Sequence, residues 1–181
     1  MRFRGVFKKF YEMAAEKMCK EIGGFVFGEK VLDLGCGSGI FGKKFEEKFK
    51  KKVLGIDIVD KRVYQIPFKL YDGQTIPFPE DYFDLVLISF VLHHTENSIS
   101  ILKEAKRVGK RIIIFEDLPE GIFGKIYCFL HWLTWNLFFG KSPKFDFHTE
   151  KEWEEIFESL GFKIISKKDF LIKRKIFILE K

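Results

Sequence analysis

Apolar positions along the chain switch between a helical and a strand-like period. Phe7, Phe10, Ala14, Met18 and Ile22 recur three or four apart, which predicts a helix over about 5–24 that stops at Gly23-Gly24. Lys30–Leu34 (KVLDL) is a short apolar run and predicts a strand. Phe41, Phe45 and Phe49 then fall four apart among Lys and Glu, the pattern of an amphipathic helix. Further strands are predicted at Lys52–Asp57, Pro67–Tyr71, Tyr82–Ser89 and Lys110–Glu116. The near-continuous apolarity of YFDLVLIS predicts burial on both faces, as in a parallel sheet. Asn97 or Ser98 is placed to cap a helix carrying Leu102, Ala105 and Val108, with Gly109 as its stop. Thr149-Glu150-Lys151-Glu152 has the form of a capping box, and Trp153, Ile156, Phe157 and Leu160 follow at helical spacing. Phe162–Lys168 and Ile176–Leu179 predict a closing hairpin.

Strands alternating with helices predict a doubly wound, seven-stranded, mostly parallel sheet with helices on both faces. The hairpin adds one antiparallel strand near the C-terminus. The 181 residues suit a single domain over 1–181. A net charge of +6 raises an acidic partner, RNA or anionic lipid, against a solvated lysine surface. The basic residues are scattered and form no stripe interleaved with aromatics, so the solvated surface is favoured and nucleic acid stays an alternative. Cys19, Cys36 and Cys128 are odd in number and far apart, which predicts no disulfide framework and a reducing cytoplasm. The N-terminal segment has no apolar core of a secretory signal. Side-chain amides are few (Gln65, Gln74, Asn97, Asn136) while Lys and Glu abound, a composition expected of a heat-stable protein.

The candidate chemistry begins at VLDLGCGSG, residues 31–39. Ligands of doubly wound sheets bind at the carboxyl ends of strands, near the point where strand order reverses. Gly35, Gly37 and Gly39 are expected there, where the missing Cβ atoms allow close ligand approach. Asp33 precedes the turn, and Asp57 ends the next strand, where an acid commonly accepts from ribose hydroxyls. This combination predicts a nucleoside-containing cofactor. Gly37 to Gly42 also spells G-x-G-x-x-G, but its first glycine stands two residues beyond the strand-end glycine, Gly35, so the dinucleotide reading loses on register. His93 and His94 follow the fourth strand and are candidate bases or loop-holding residues. His148 precedes the capping box, and His131 is read as helix packing. No His, Cys or Asp set has metal-ligand spacing along the chain, so no metal is expected. IFGKIYCFLHWLTWNLFF, residues 122–139, is almost wholly apolar over 18 residues. It reads as a lid over an apolar acceptor within an insertion at 118–145, as a membrane-surface or dimer contact, or as core.

VLDLGCGSG resembles motif I of class I S-adenosylmethionine-dependent methyltransferases. GIDIVD (55–60) and YDGQTIPFPEDYFDLVLISFVLHH (71–94) are similar to the segments that follow it in that family. FHTEKEWEEIFESLGFKII (147–165) is similar to the tail of its small-molecule branch, which includes the ubiquinone and menaquinone methyltransferases. The resemblance implies a Rossmann-like methyltransferase fold, S-adenosylmethionine as cofactor and S-adenosylhomocysteine as product. It implies that Gly35, Cys36, Gly37, Ser38 and Gly39 pass under the methionine and ribose. Asp33 would hold the methionine ammonium, partly through water, and Asp57 the ribose hydroxyls. Ile58 would pack on adenine, with Asp72 accepting from its amino group and Gly73 alongside. Ser89 and Phe90 would line the transfer site. The expected acceptor is small and apolar or aromatic. An RNA or protein methyltransferase, and a non-catalytic cofactor-binding scaffold, are the alternatives.

Overall fold

The computed structural model describes residues 2–138, 146–171 and 173–181, with side chains from residue 8 onward except 134–138. Five helices are described: α1 (Arg2–Ile22), α2 (Ile40–Phe49), α3 (Ser98–Val108), α4 (Gly121–Phe138) and α5 (Glu150–Ser159). The seven described strands are β1 (Lys30–Leu34), β2 (Lys52–Asp57), β3 (Phe68–Leu70), β4 (Phe83–Ser89), β5 (Gly109–Asp117), β6 (Lys163–Asp169) and β7 (Arg174–Glu180). They form one sheet in the order β3-β2-β1-β4-β5-β7-β6. β7 runs antiparallel to both neighbours, and every other pairing is parallel. The doubly wound sheet with one reversed strand is therefore observed.

The strands read as continuous apolar runs because both faces are covered. On β5, Ile113 and Phe115 pack with α1 and α2 through Met18, Cys19, Phe41 and Phe45. The alternating Ile112 and Ile114 pack with α3 and α5 through Leu102, Ala105, Trp153 and Phe157. This is the two-residue period of a strand serving two cores at once.

Local signals mark the helix ends. Asn97 caps α3 by accepting from Ser100 N. Thr149 and Glu152 complete the reciprocal capping box of α5. The buried face of α1 differs from expectation. Ala15, Met18, Cys19 and Ile22 are buried, whereas Phe10 is 64% exposed. The true stripe is i, i+3, i+4, i+7 from Ala15, because α1 packs with its C-terminal half against α2 and the sheet.

The helix read from residues 122–139 is present as α4, but among its described side chains most of the large apolar ones are not core. Ile122, Phe123, Ile126, Phe129, Leu130, Trp132 and Leu133 are all exposed. Residues 139–145 of the expected insertion lie outside the described residues. Among the described residues, no helix is long and apolar enough to cross a membrane.

Phe157 is fully buried and Phe123 is 75% exposed. Urea unfolding of Phe157→Ala is expected to show a loss of about 3–5 kcal/mol, with the slope unchanged. Phe123→Ser is expected to stay within about 0.5 kcal/mol of the parent.

Candidate active site at the strand-order switch

From β1 the chain winds outward through β2 and β3, then crosses back to place β4 on the other side of β1. The β1–α2 turn and the segment after β4 therefore leave the sheet side by side, in opposite directions of winding. A crevice at such a point is the ordinary ligand site of this architecture.

The β1–α2 turn is closed from several sides. Gly35 N and Cys36 N donate to Ile56 O at 2.8 and 3.1 Å, tying the turn to β2. Gly37 N donates to Asp57 Oδ2 at 2.9 Å. Gly37 and Gly39 take φ values of 51° and 75°, in the left-handed region that favours glycine. A Cβ on Gly39 would come within 2.8 Å of the Tyr64 carbonyl, whereas one on Gly37 would meet nothing within 4 Å. Gly37 thus presents bare backbone to open space, and a ligand has room there. Gly42, the last glycine of the apparent dinucleotide fingerprint, has another task. A Cβ there would meet Asp33 Oδ2 at 2.8 Å, so this glycine lets α2 pack close to the sheet.

Asp33 is completely buried, and its Oδ2 accepts from Gly42 N at 3.1 Å. Its Oδ1 has no hydrogen-bond partner among the described residues. Burial, with Asp57 nearby, pushes the carboxyl up to about 7, against the pull of the Gly42 amide. An unsatisfied buried carboxyl oxygen beside the turn fits a cationic ligand group. Asp57 is half-buried and also accepts from Ile58 N at 2.8 Å. Ser38 lies within the turn, where its carbonyl accepts from Val63 N and Tyr64 N at 2.9 and 3.0 Å. Cys36 is buried, and burial pushes its thiol, like those of Cys19 and Cys128, up to about 12. None of the three is a thiolate nucleophile near neutral pH.

The next two strand ends place Ile58 against Gly73. Ile58 is 63% exposed, and a Cβ on Gly73 would touch its Cγ2 at 3.0 Å. Asp72 is exposed, and its Oδ1 accepts from Gln74 N and Thr75 N, both at 2.8 Å. Those two amides hold its carboxyl below the usual range. An exposed apolar side chain flanked by a glycine and a carboxylate suits a flat base with an amino group. The residues expected to meet a nucleoside thus share one sheet edge with the glycine turn.

After β4 the chain bends at Phe90, a non-glycine residue with a φ of 56°. Phe90 N donates to Phe115 O at 2.8 Å, and Ser89 is half-buried at the strand end. His93 is completely buried, and its Nδ1 pairs with Glu116, which also accepts from Leu92 N at 2.9 Å. Burial opposes charge on His93, but Glu116 prevails and raises its pKa. His94 is pushed down to about 3 by burial, with His93 and His131 adding to it. His131 is not simple helix packing. Its Nδ1 pairs with Asp117 Oδ2 at 3.0 Å, and its ring centroid lies 5.2 Å from that of His93. His148 stands apart from these three, pairing with Asp146 at 3.4 Å and packing edge-on to Trp153.

Several residues here were not expected. Glu116 and Asp117 are buried at the end of β5. Arg174 donates to Asp117 Oδ1 at 2.7 Å and to the Tyr127 hydroxyl at 2.5 Å, and its guanidinium lies 4.7 Å from the Phe90 ring centre. The available signals were two acids closing an apolar strand and an imidazole inside an aromatic run. Neither names its partner, because the partners lie on the turn after β4, on α4 and on β7.

A family model of the methyltransferase domain matches residues 8–167. The demethylmenaquinone methyltransferase of Thermotoga maritima is 32% identical over 134 residues, 66% of this chain and 58% of that protein. A ubiquinone/menaquinone biosynthesis C-methyltransferase of Cupriavidus metallidurans is 30% identical over 128 residues, 59% of this chain and 53% of that protein. The chain thus spans little more than half the length of these two relatives. A solved S-adenosylmethionine-dependent methyltransferase of Aquifex aeolicus superimposes with a TM-score of 0.66 at 21% identity, over 91% of this chain and 88% of that one. The [4+2]-cyclase SpnF superimposes with a TM-score of 0.73 at 13% identity, over 92% and 80% of the two chains. At such identities the structural likeness shows the fold alone; the family model decides the class. With its glycine turn, its buried Asp33 and its matching domain, the chain belongs to the class I methyltransferases, whose cofactor is S-adenosylmethionine.

Proposed function

We propose that this chain transfers the methyl group of S-adenosylmethionine to a small, apolar or aromatic acceptor bound between the ends of β4 and β5 and helix α4. The observation that carries this reading is α4 itself. It stands beside the switch point, with His131 ring-to-ring at 5.2 and 5.4 Å from His93 and His94, yet it leaves seven large apolar side chains exposed. Exposed apolar surface gathered on one element marks a binding face more often than a neutral surface. The two relatives, one named a demethylmenaquinone methyltransferase and the other a ubiquinone/menaquinone biosynthesis C-methyltransferase, support an acceptor of that character.

When bound, the cofactor supplies a methyl carbon already activated by its positive sulfur. The chain's task is then alignment, which by itself removes much of such a barrier. In this reading Asp57, Ile58, Asp72 and Gly73 hold the nucleoside, with Asp33 and Gly37 at the methionine end. Ser89 and Phe90 line the path to the acceptor. Of the two histidines after β4, His94 is too weak a base near neutrality, so a proton-accepting role rests on His93, backed by Glu116.

Heating the protein with S-adenosylhomocysteine at about a hundred times its dissociation constant is expected to raise Tm by roughly 5–11 °C. NAD is expected to give no shift, and Asp57→Ala to remove most of it. The absence of any shift at millimolar ligand would sink the proposal.

Asp33 sets the pH dependence. Its native pKa of about 7 lies above its ordinary value. Its contribution to the stability of the unliganded fold is therefore full below about pH 4 and lost as pH rises through 7. A cationic methionine end requires the carboxylate, so cofactor affinity is expected to rise with pH up to about 7. Calorimetric titration from pH 5.5 to 8 checks this, and Asp33→Asn is expected to flatten the profile.

For α4, Ile126→Ser and Phe129→Ser are expected to raise the acceptor KM several-fold in a labelled-methyl assay over a panel of quinols and phenols. The shift with S-adenosylhomocysteine should stay as in the parent. Loss of cofactor binding in both variants would refute the division of labour between α4 and the strand ends.

A further inference from the structure

We propose that His93, His94 and His131 form a three-imidazole site for a divalent transition metal, with zinc the best fit. The inference does not rest on the acceptor reading, because its readout is metal binding and not turnover.

No spacing in the chain announces this set. His93 and His94 come from the short turn after β4, and His131 from the middle of α4. The fold brings one ring nitrogen from each to within 4.8 Å of the others. Three nitrogens at about 2.0–2.1 Å from a tetrahedral zinc lie about 3.3 Å apart, so the rings need to close by roughly 1.5 Å at most. Rotation about side-chain bonds supplies movement of that size.

The surroundings are those of a ligand set and not of three incidental histidines. His93 Nδ1 is held by Glu116 and His131 Nδ1 by Asp117, two consecutive residues at the end of β5. A carboxylate on one imidazole nitrogen fixes the tautomer and ring orientation that put the other nitrogen, Nε2, on a metal. Each carboxylate is itself held in place. Glu116 accepts from Leu92 N at 2.9 Å, and Asp117 from Arg174 Nε at 2.7 Å. Two carboxylates against one guanidinium leave the surroundings negative, which favours a cation. The Phe147 ring stacks on His93 at 4.8 Å and gives the site an apolar wall. His94 and His131 are only partly buried, so a metal ion has a way in.

An all-imidazole set selects zinc, copper, nickel or iron over magnesium and calcium, which require oxygen ligands. Zinc tolerates the geometry because it has no directional preference of its own, and three protein ligands leave one position open. With a metal in place, His93 is held as a ligand, so the proton-accepting role given to it above belongs to the metal-free protein.

The test uses the full-length protein, freed of metal by dialysis against a chelator. Zinc is titrated in competition with a chromophoric chelator, and cobalt(II) is added separately for its spectrum. The expected result is one zinc per chain at submicromolar affinity. His94→Gln and His131→Gln should each weaken it at least tenfold, and the double variant should fall to background. Cobalt should show d–d absorption without a thiolate charge-transfer band, which separates this set from the three cysteines. Folding of the variants is checked by circular dichroism. Equal zinc affinity in the parent and the double variant would overturn the proposal. So would a thiolate band, or no cobalt uptake by the parent at hundredfold excess, whatever the variants do.

Discussion

A parallel strand buried on both faces has no place for a charge along its length, because neither side chain direction leads to water. Ile112 through Phe115 on β5 are all completely buried, split between two cores. Polar groups are therefore confined to the strand ends, and there they accumulate: Asp57 on β2, Ser89 on β4, Glu116 and Asp117 on β5. Asp33, one residue short of the end of β1, is completely buried, and its raised pKa reflects what burial does to an acid. Because β1, β2, β4 and β5 are parallel, all of these groups reach the same edge. The candidate site lies at that carboxyl edge, while the opposite edge keeps polar pairs of its own, Lys110 with Asp84 and Arg111 with Glu180.

The same acids hold the backbone together before any ligand arrives. Asp33 anchors the first turn of α2 through Gly42 N, Asp57 ties Gly37, and Asp72 closes its own turn. Glu116 fixes the turn that carries His93 and His94 through Leu92 N. In the proposed reading, cofactor recognition and fold stability draw on shared groups. This keeps the turn pre-organised, and it also means that substitutions at these acids act on both. The glycines divide in the same way. Gly42 serves helix packing, whereas Gly37 faces open space.

Helix α4 follows a different logic from the other helices near the sheet. α2, α3 and α5 each bury an apolar stripe, while α4, among its described side chains, buries Cys128, makes polar links at Tyr127 and His131, and leaves seven large apolar side chains exposed. Asp117 receives His131 from one side and Arg174 from the other, and Arg174 also binds the Tyr127 hydroxyl. These contacts seat α4 against the ends of β5 and β7. In the proposed reading, it is these exposed apolar residues of α4 that meet the acceptor.

The strand positions, the two helix caps and the doubly wound topology were legible in the sequence, since each rests on local periodicity and local hydrogen bonding. Thr149 and Glu152 meet because they are three residues apart, and Lys30–Leu34 reads as a buried strand from its own residues. The glycine turn and the acids at 33, 57 and 72 were legible for the same reason: their offsets from strand ends are short. The exposure of Phe10 and of α4 was not legible, because a helical period says which residues share a face and not whether a partner lies against it. Nor was the grouping of His93, His94 and His131 with Glu116, Asp117 and Arg174. Those residues span 82 positions of chain from first to last and meet only where β4, β5, α4 and β7 converge. Sequence by itself determined the elements and the glycine turn, since these depend on neighbours in the chain. Tertiary structure alone decided which imidazole faces which carboxylate, because that depends on sheet order and helix docking, which no local pattern encodes.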